Sequence, residues 1–451
     1  MIGYFLGIRF GWGRFRLLAA LLFLSLLAYP AAAETITLSL DEAVSRALNQ
    51  SLTLKKSAID LAQREYAANR LWTQIFPSFS LSTGLNILPQ TNLVTDPGFS
   101  YRTEALAYTI SAGVSLTLSP SISSAMKLIE MDYRDQLLTY EDASKQLEIQ
   151  VTKNFFSLIT MKANVAYMEQ SLEVATQKMN SDRIARQNGL LSELAWLNSQ
   201  LSVQTARYNL SNAQGSYQNA LREFLATLGM DADQDVILDG IIGIGPVDLD
   251  PEQLILEYLP KRPDIVRQRQ LIERRELAKN QTTLSSRAPS LELSTQWQGR
   301  PGSGGLSAPF TDSLSGSLSI RIPIESWIPG TRQNQNIRTA DAELEKAYLD
   351  LQNTETQAKT QIRSLISNLH STWENLEIAR MRVEIAQATV TATEEGFRRG
   401  TVEFRELEDR RNDLSDARQR LLQGENSYQS LILDLAMALN VDWRTLTRSL
   451  P

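Results

Sequence analysis

Pro77-Ser-Phe-Ser-Leu-Ser-Thr83 returns later in the chain as Pro289-Ser-Leu-Glu-Leu-Ser-Thr295. Around this pair other phrases recur at almost the same offset. Arg64-Glu-Tyr-Ala-Ala-Asn69 matches Arg275-Glu-Leu-Ala-Lys-Asn280, and Ser216-Tyr217-Gln218 matches Ser427-Tyr428-Gln429, each 211 positions on (275 − 64; 427 − 216). A fold for this chain must use one supersecondary plan twice.

The plan can be read element by element. Ser39-Leu-Asp-Glu42 has the form of a capping box, a hydroxyl at the N-cap with an acid three residues on. Its counterpart Asp250-Pro-Glu-Gln253 has Asp as cap and Pro at the first helical position. A helical run follows in each copy and is expected to stop at Pro77 and Pro289, since proline removes a donor and disfavours αR at the residue before it. Past each proline a pair of strands is expected. The clearest alternate as Leu106, Tyr108, Ile110, Ala112, Val114, Leu116, Leu118 and as Leu314, Gly316, Leu318, Ile320, Ile322, Ile324, with small or polar residues between. The connections within each pair are expected at Leu88 to Arg102 and Gly299 to Asp312. Two long helices, about Ser121 to Asn188 and Gly330 to Arg399, follow the strands; each would extend roughly 100 Å if continuous. Apolar stripes run along both: Val151, Phe155, Leu158, Val165, Met168 and Leu172 in the first, Ile362, Ile366, Leu369, Trp373, Leu376, Val383, Ala386 and Val390 in the second. Each long helix ends at a glycine, Gly189 or Gly400, and a second helix returns.

The first 33 residues read as a secretory leader. Arg9, Arg14 and Arg16 precede the apolar Leu17 to Leu27, and Ala31-Ala32-Ala33 is a small-residue cleavage site. Its removal takes three Arg and no acid, deepening the net charge from −6 to −9 (42 − 51). An acidic balance argues against nucleic acid as a partner. With no cysteine and a single histidine, His370, disulfides and thiolate metal sites are excluded and little is left for zinc or serine-type catalysis. No metal, cofactor or catalytic residue is expected. The domains expected are the leader 1–33, a first repeat 34–229, a linker 230–247 and a second repeat 248–451.

Strands of this length can cross a bilayer when tilted, which takes about 9 to 11 residues. Four of them cannot close a membrane barrel, which starts at about 8 strands, and open edges in lipid leave backbone groups without partners. Further copies of the chain must therefore complete the sheet. The fold class expected is mainly α with membrane β, polar inside and enclosing water.

With these elements in order, the sequence resembles the TolC-type outer-membrane efflux proteins. Ser39-Leu-Asp-Glu-Ala43, Pro77-Ser-Phe-Ser-Leu-Ser82, Pro289-Ser-Leu-Glu-Leu-Ser294 and the Gly-Leu and Gly-Thr turns carry the resemblance, which covers essentially the whole mature chain. It implies a homotrimer, four strands per chain, whose 12-stranded β-barrel in the outer membrane continues into a long α-helical coiled-coil barrel in the periplasm. It implies an exit duct of a tripartite efflux or type I secretion system, working with a periplasmic adaptor and an inner-membrane transporter of RND, ABC or MFS type. The family's tip motif falls on Asn188-Gly189-Leu190 and Arg399-Gly400-Thr401, making Gly189, Leu190, Gly400 and Thr401 the adaptor-docking residues. An aspartate that the family often carries six residues after the glycine is kept as an acid at Glu406 and replaced by Ala195 in the first repeat.

Gly189 and Gly400 serve equally as helix C-caps. The acids near the turns (Asp182, Glu193, Glu394, Glu395, Glu403, Glu406, Asp409) fit a solvated face, or rings at the periplasmic entrance, with Glu193, Glu403, Glu406 and Asp409 the candidates. Leu106, Tyr108, Ile110, Val114, Leu116, Leu314, Leu318 and Ile320 are the candidates to face outer-membrane lipid. Trp72, Trp297 and Trp327 suit an aromatic belt as well as core packing. Two other functions remain: a periplasmic adaptor, normally one helical hairpin with β-rich modules, and a coiled-coil scaffold without a membrane barrel.

Overall fold

The computed structural model describes residues 36–88, 105–240, 245–247, 249–301 and 309–448. The leader and most of both strand-to-strand connections lie outside them. The strands are β1 (Ile36–Ser39), β2 (Ser78–Leu88), β3 (Ala105–Leu118), β4 (Val236–Asp239), β5 (Ser290–Pro301) and β6 (Phe310–Arg321). The α-helices are α1 (Leu40–Gln50), α2 (Leu52–Ala68), α3 (Ser121–Gln187), α4 (Glu193–Thr227), α5 (Pro251–Tyr258), α6 (Pro263–Arg287), α7 (Arg332–Arg398), α8 (Phe404–Leu439) and α9 (Trp443–Arg448). Contacts divide the chain into two compact units, Met1–Asn49 with Asn154–Ile241 and Gln50–Lys153 with Ile242–Pro451.

The helical run of each repeat is broken in two. In the first repeat Ser51 ends α1 and caps α2, its Oγ accepting from the Leu54 N–H at 3.3 Å. In the second, Pro260 and Pro263 interrupt the ladder, and a 3-10 turn over Leu259–Lys261 separates α5 from α6. Nor does Pro77 itself stop a helix: α2 ends at Ala68 and a 3-10 turn, Leu71–Ile75, fills the gap. The capping box at Ser39 is half formed. Ser39 Oγ accepts from the Glu42 N–H at 3.3 Å, but the Glu42 carboxylate turns away to Arg46, at 2.7 Å.

In the first unit β1 and β4 pair in parallel, Leu38 against Leu238. The alternation that makes β4 lies inside what reads in the sequence as a linker. Phe155 and Phe224, ring centroids 6.3 Å apart, fill the core beside Leu38 and Leu225, which are all but fully buried. Bulk at Gly240 is excluded, because a Cβ there would come within 2.8 Å of the Phe155 ring.

In the second unit α7 and α8 form an antiparallel pair with a heptad seam. Ile362, Leu369, Leu376 and Val390 of α7 are buried, as are Leu407, Leu414, Tyr428 and Leu435 of α8, and within each helix they fall at multiples of seven. α5 and α9 close the open end of this seam, placing Ile255 and Leu446 in the same cluster as Ile362 and Tyr428. Tyr428 also donates from its hydroxyl to the Gly245 carbonyl at 3.0 Å, fixing the segment that joins the repeats.

The same unit carries the four-stranded sheet, antiparallel throughout, in the order β2-β3-β5-β6. β6 begins at Phe310 and ends at Arg321, so Ile322 and Ile324, expected within the strand, follow it at Pro323 and lead into a 3-10 turn, Glu325–Trp327. Gly299 and Asp312, expected in a loop, face each other as paired strand residues.

Candidate channel wall and helix-turn tips

Opposed residues of an antiparallel pair share a face of the sheet, so the register sorts every side chain. One face carries Phe79, Leu81 and Leu85 of β2, Tyr108, Ile110, Val114 and Leu116 of β3, Leu291, Leu293 and Trp297 of β5, and Leu314, Leu318 and Ile320 of β6. The other carries Ser78, Ser80 and Ser82, then Thr109, Ser111 and Ser115, then Ser294, Gln296 and Gln298, then Ser313, Ser315 and Ser317. On that face hydroxyls bond in cross-strand pairs, Ser78 with Ser115, Ser82 with Ser111 and Ser294 with Ser317, each at 2.7 Å. Among the described residues nothing covers the apolar face: Leu81 is 79% exposed and Leu314 is 73% exposed. Leu106 takes its place in the register opposite Ile87, and its side chain lies outside the described part. Among the described residues no helix is long and apolar enough to cross a membrane.

Aromatic residues stand at two levels. Trp72 and Phe76 meet edge to face at 5.3 Å just before β2, and Trp327, under the Arg287 guanidinium at 4.9 Å, comes just after β6. Ser78 of β2 and Arg321 of β6 mark one end of the sheet, so this level is its helical end. Trp297 and Phe310, 6.3 Å apart, lie towards the other end, where the Trp297 indole donates to Asp312 at 3.2 Å.

Each long helix is 67 residues and ends in the same hydrogen-bond pattern. After α3 the Leu190 N–H reaches the Ala185 carbonyl at 2.8 Å and the Gly189 N–H the Arg186 carbonyl at 3.0 Å; after α7, Thr401 bonds to Gly396 and Gly400 to Phe397, both at 3.0 Å. This is the Schellman pattern. It needs a left-handed residue, and Gly189 and Gly400 have φ of +72° and +75°. A Cβ at either glycine would meet nothing within 4 Å. Backbone conformation, not crowding, therefore demands glycine there. The C-cap role stands on this geometry alone.

The return helices start differently. Ser192 caps α4, accepting from the Ala195 N–H at 3.3 Å, whereas Glu403 precedes α8 with no side-chain cap. Ala195 and Glu406 thus occupy the third position of their helices, where an acid gains from the helix dipole. Glu193 pairs with Arg186 at 2.7 Å, Glu394 with Arg411 at 2.6 Å and Glu395 with Arg399 at 3.3 Å; Glu406 stands 4.0 Å from Arg410, and Glu403 and Asp409 are exposed. Asp182 is no surface acid: with Lys178 at 2.6 Å and a short hydrogen bond from the nearly inaccessible Ser199, it ties α3 to α4. His370, exposed, lies 3.4 Å from Glu374 on its own helix.

One feature escaped the sequence reading. Leu190, Leu194, Leu197 and Leu201 are all at least half exposed (80%, 70%, 51% and 64%). The spacing of the last three, i, i+3 and i+7, puts an apolar stripe on the outside of α4. That spacing was legible; only the structure shows that nothing among the described residues covers it.

Residues 43–230 and 254–441 match the family profile of the outer membrane efflux proteins, one stretch in each repeat. Comparison with curated proteins returned no match. Among solved structures, CusC, whose crystal structures describe folding and transmembrane channel formation, superposes with a TM-score of 0.72 at 15% identity, over 92% of this chain and 96% of that one. The CmeC outer membrane channel of Campylobacter jejuni gives 0.72 at 15% identity over 91% and 88%, and the outer membrane protein VceC of Vibrio cholerae 0.69 at 15% over 90% and 96%. At such identities these structures speak for the fold, and the profile match speaks for the family. It is a family of transport ducts and not of enzymes, and the adaptor and scaffold readings fall with the match. The chain belongs to the outer membrane efflux protein family, and is an exit duct of the outer membrane.

Proposed function

We propose that three copies of the chain close a 12-stranded barrel, β6 of each pairing with β2 of the next, and that the duct passes cargo passively from an inner-membrane pump. The observation that carries this is the two-faced sheet with unpaired outer edges. A sheet that is apolar on one face and hydroxyl-lined on the other, open at β2 and β6, satisfies its backbone in lipid only as part of a closed ring. Leu106, Tyr108, Ile110, Val114, Leu116, Leu314, Leu318 and Ile320 then face lipid, and the serine face lines the water. The two aromatic levels fall where membrane interfaces favour Trp and Tyr. The repeats 34–229 and 248–451 are the units of this pseudo-symmetric ring, after a leader 1–33 and joined by 230–247.

The turns at Gly189-Leu190 and Gly400-Thr401 dock a periplasmic adaptor. What supports this is the uncovered leucine stripe of α4 beginning at Leu190, which suits the apolar edge of a partner's helical hairpin. At the entrance, Glu193, Glu403, Glu406 and Asp409 lend negative potential to the aqueous path. The test replaces Gly189 and Gly400 together by Val. Export and adaptor crosslinking are expected to be lost while the trimer still reaches the outer membrane. Unchanged crosslinking and export would reduce both glycines to caps.

A further inference from the structure

The repeat is visible in side-chain contacts as well as in words of sequence. Arg64 of α2 stands 3.7 Å from Asp132 of α3, and at the same offset Arg275 of α6 stands 3.7 Å from Glu343 of α7. So α2 lies beside α3 as α6 lies beside α7. Across the repeats α3 meets α6: Arg267 donates to Asp142 at 2.6 Å, Arg274 lies 2.8 Å from Asp132, and Asp135 and Leu271 line one cavity of about 270 Å³. The helices thus follow one another as α2-α3-α6-α7, the order of the strands β2-β3-β5-β6 to which they connect.

This order leaves a bare face at each end. On α3, the residues at the α6 seam are covered at least in part: Met131 is buried, and Asp135, Leu138 and Asp142 are intermediate. Their repeat equivalents on α7, namely Ala342, Lys346, Leu349 and Asn353, are all exposed. The same contrast holds on the other side. Arg267, Gln270 and Leu271 of α6 are intermediate, while their equivalents Lys56, Ile59 and Asp60 on α2 are exposed. An isoleucine 68% exposed and a leucine 60% exposed, on the two helices joined to the two open strand edges, are the bare halves of one seam.

We infer that α7 of one copy meets α2 of the next in the register that α3 and α6 hold within the chain, so that Lys346 lies against Asp60 of the partner subunit. This rests on the closed ring of copies proposed above and adds the residues of its boundary. One charge pair suits that boundary. Where the internal seam has Asp135 and Leu271 lining one cavity, the boundary places a lysine and an aspartate. Were α2 to take the place of α6 against α3, Asp60 would face Asp135, and like charges in contact oppose docking.

The native chain has no cysteine, so introduced pairs report without background. The double variant Asp60→Cys, Lys346→Cys, extracted from the outer membrane in detergent and mildly oxidised, is expected to give reducible covalent trimers. Moving one partner two turns, with Asp60→Cys and Asn353→Cys, shifts it by about 10 Å and should cut the yield at least tenfold. A charge exchange keeps the packing question separate: Lys346→Asp should lower the temperature at which trimers dissociate on a gel, and Lys346→Asp with Asp60→Lys should restore it. Trimers confirmed by mass in detergent that give no crosslink at 60/346, or an equal one at 60/353, overturn the register and leave the ring standing. Failure of the exchange to restore the lost stability overturns the ion pair. A chain that is not trimeric by mass overturns the ring and the register together.

Discussion

Replacing Leu314 by Arg tests the assignment of the sheet faces most directly. β6 spans 12 residues, about 37 Å at roughly 3.4 Å per residue. Tilted by about 40° it covers roughly 29 Å of bilayer, close to the hydrocarbon thickness of about 30 Å. Leu314 is four residues from Phe310, hence about 5 Å along the strand from its midpoint, and sits on the apolar face opposite Trp297. In the proposed barrel an arginine there would meet lipid near the midplane, at a cost of about 2–4 kcal/mol per chain and about 6–12 per proposed trimer. Ser315, its neighbour, lies on the hydroxyl face and donates to the Gln296 carbonyl at 3.3 Å. Arginine at Ser315 projects into water and should cost about 1 kcal/mol or less, the range for groups kept out of the hydrocarbon. Urea titration of folding into lipid vesicles, with heat-modified gel mobility as a second readout, measures both. Equal losses for Leu314→Arg and Ser315→Arg would refute the alternation as a membrane face.

Three further outcomes are expected. Asp182→Ala strips the anion from Lys178 where the two side chains are only 10% and 13% exposed; breaking so buried a pair costs about 3–5 kcal/mol, and hydrogen exchange should rise in α3 and α4 near Ser199, an unchanged pattern counting against the tie. Asp264 titrates below its usual value: burial pushes it up, but the hydrogen bond and charge of Arg262, with the Ile265 N–H, outweigh burial. A depressed folded pKa gives stability that is present above the ordinary carboxylate value of 3.8 and lost as pH falls through the folded one, so Asp264→Asn should flatten that part of the acid denaturation curve, and a curve of unchanged shape would exclude the linkage. Asn440 closes α8 at φ +56°; Asn440→Val should lower stability by about 1–2 kcal/mol in a thermal melt, while Asn440→Gly should match or exceed the native chain.

The sequence alone determined whatever depends on neighbours a few residues away. Strand alternation put Ile110 and Thr109 on opposite faces because successive side chains in a strand point opposite ways. Gly189 and Gly400 announced the turns because a left-handed residue ends a helix with little strain only as glycine. The heptad stripe through Ile362, Leu369 and Leu376 announced α7 and its need for a partner. Because the words of the chain occur twice, the order of elements was legible in both halves.

Tertiary structure alone decided the pairings between distant segments. β3 pairs with β5, which makes β2 and β6 the edges, and no local propensity distinguishes a central strand from an edge strand when all four alternate alike. β1 and β4 are four residues each, about 200 positions apart; such short strands become strands only by burying Leu38 and Leu238. Lys153 meets Asp434 across 281 positions, and Asp182 leaves the surface because Ser199 and Lys178 close over it. Ile322 and Ile324 keep the period of a strand and are not in one, since Pro323 lacks the N–H that pairing would need. In each case the deciding energy is burial or pairing between residues far apart in the chain, which the pattern of near neighbours does not encode.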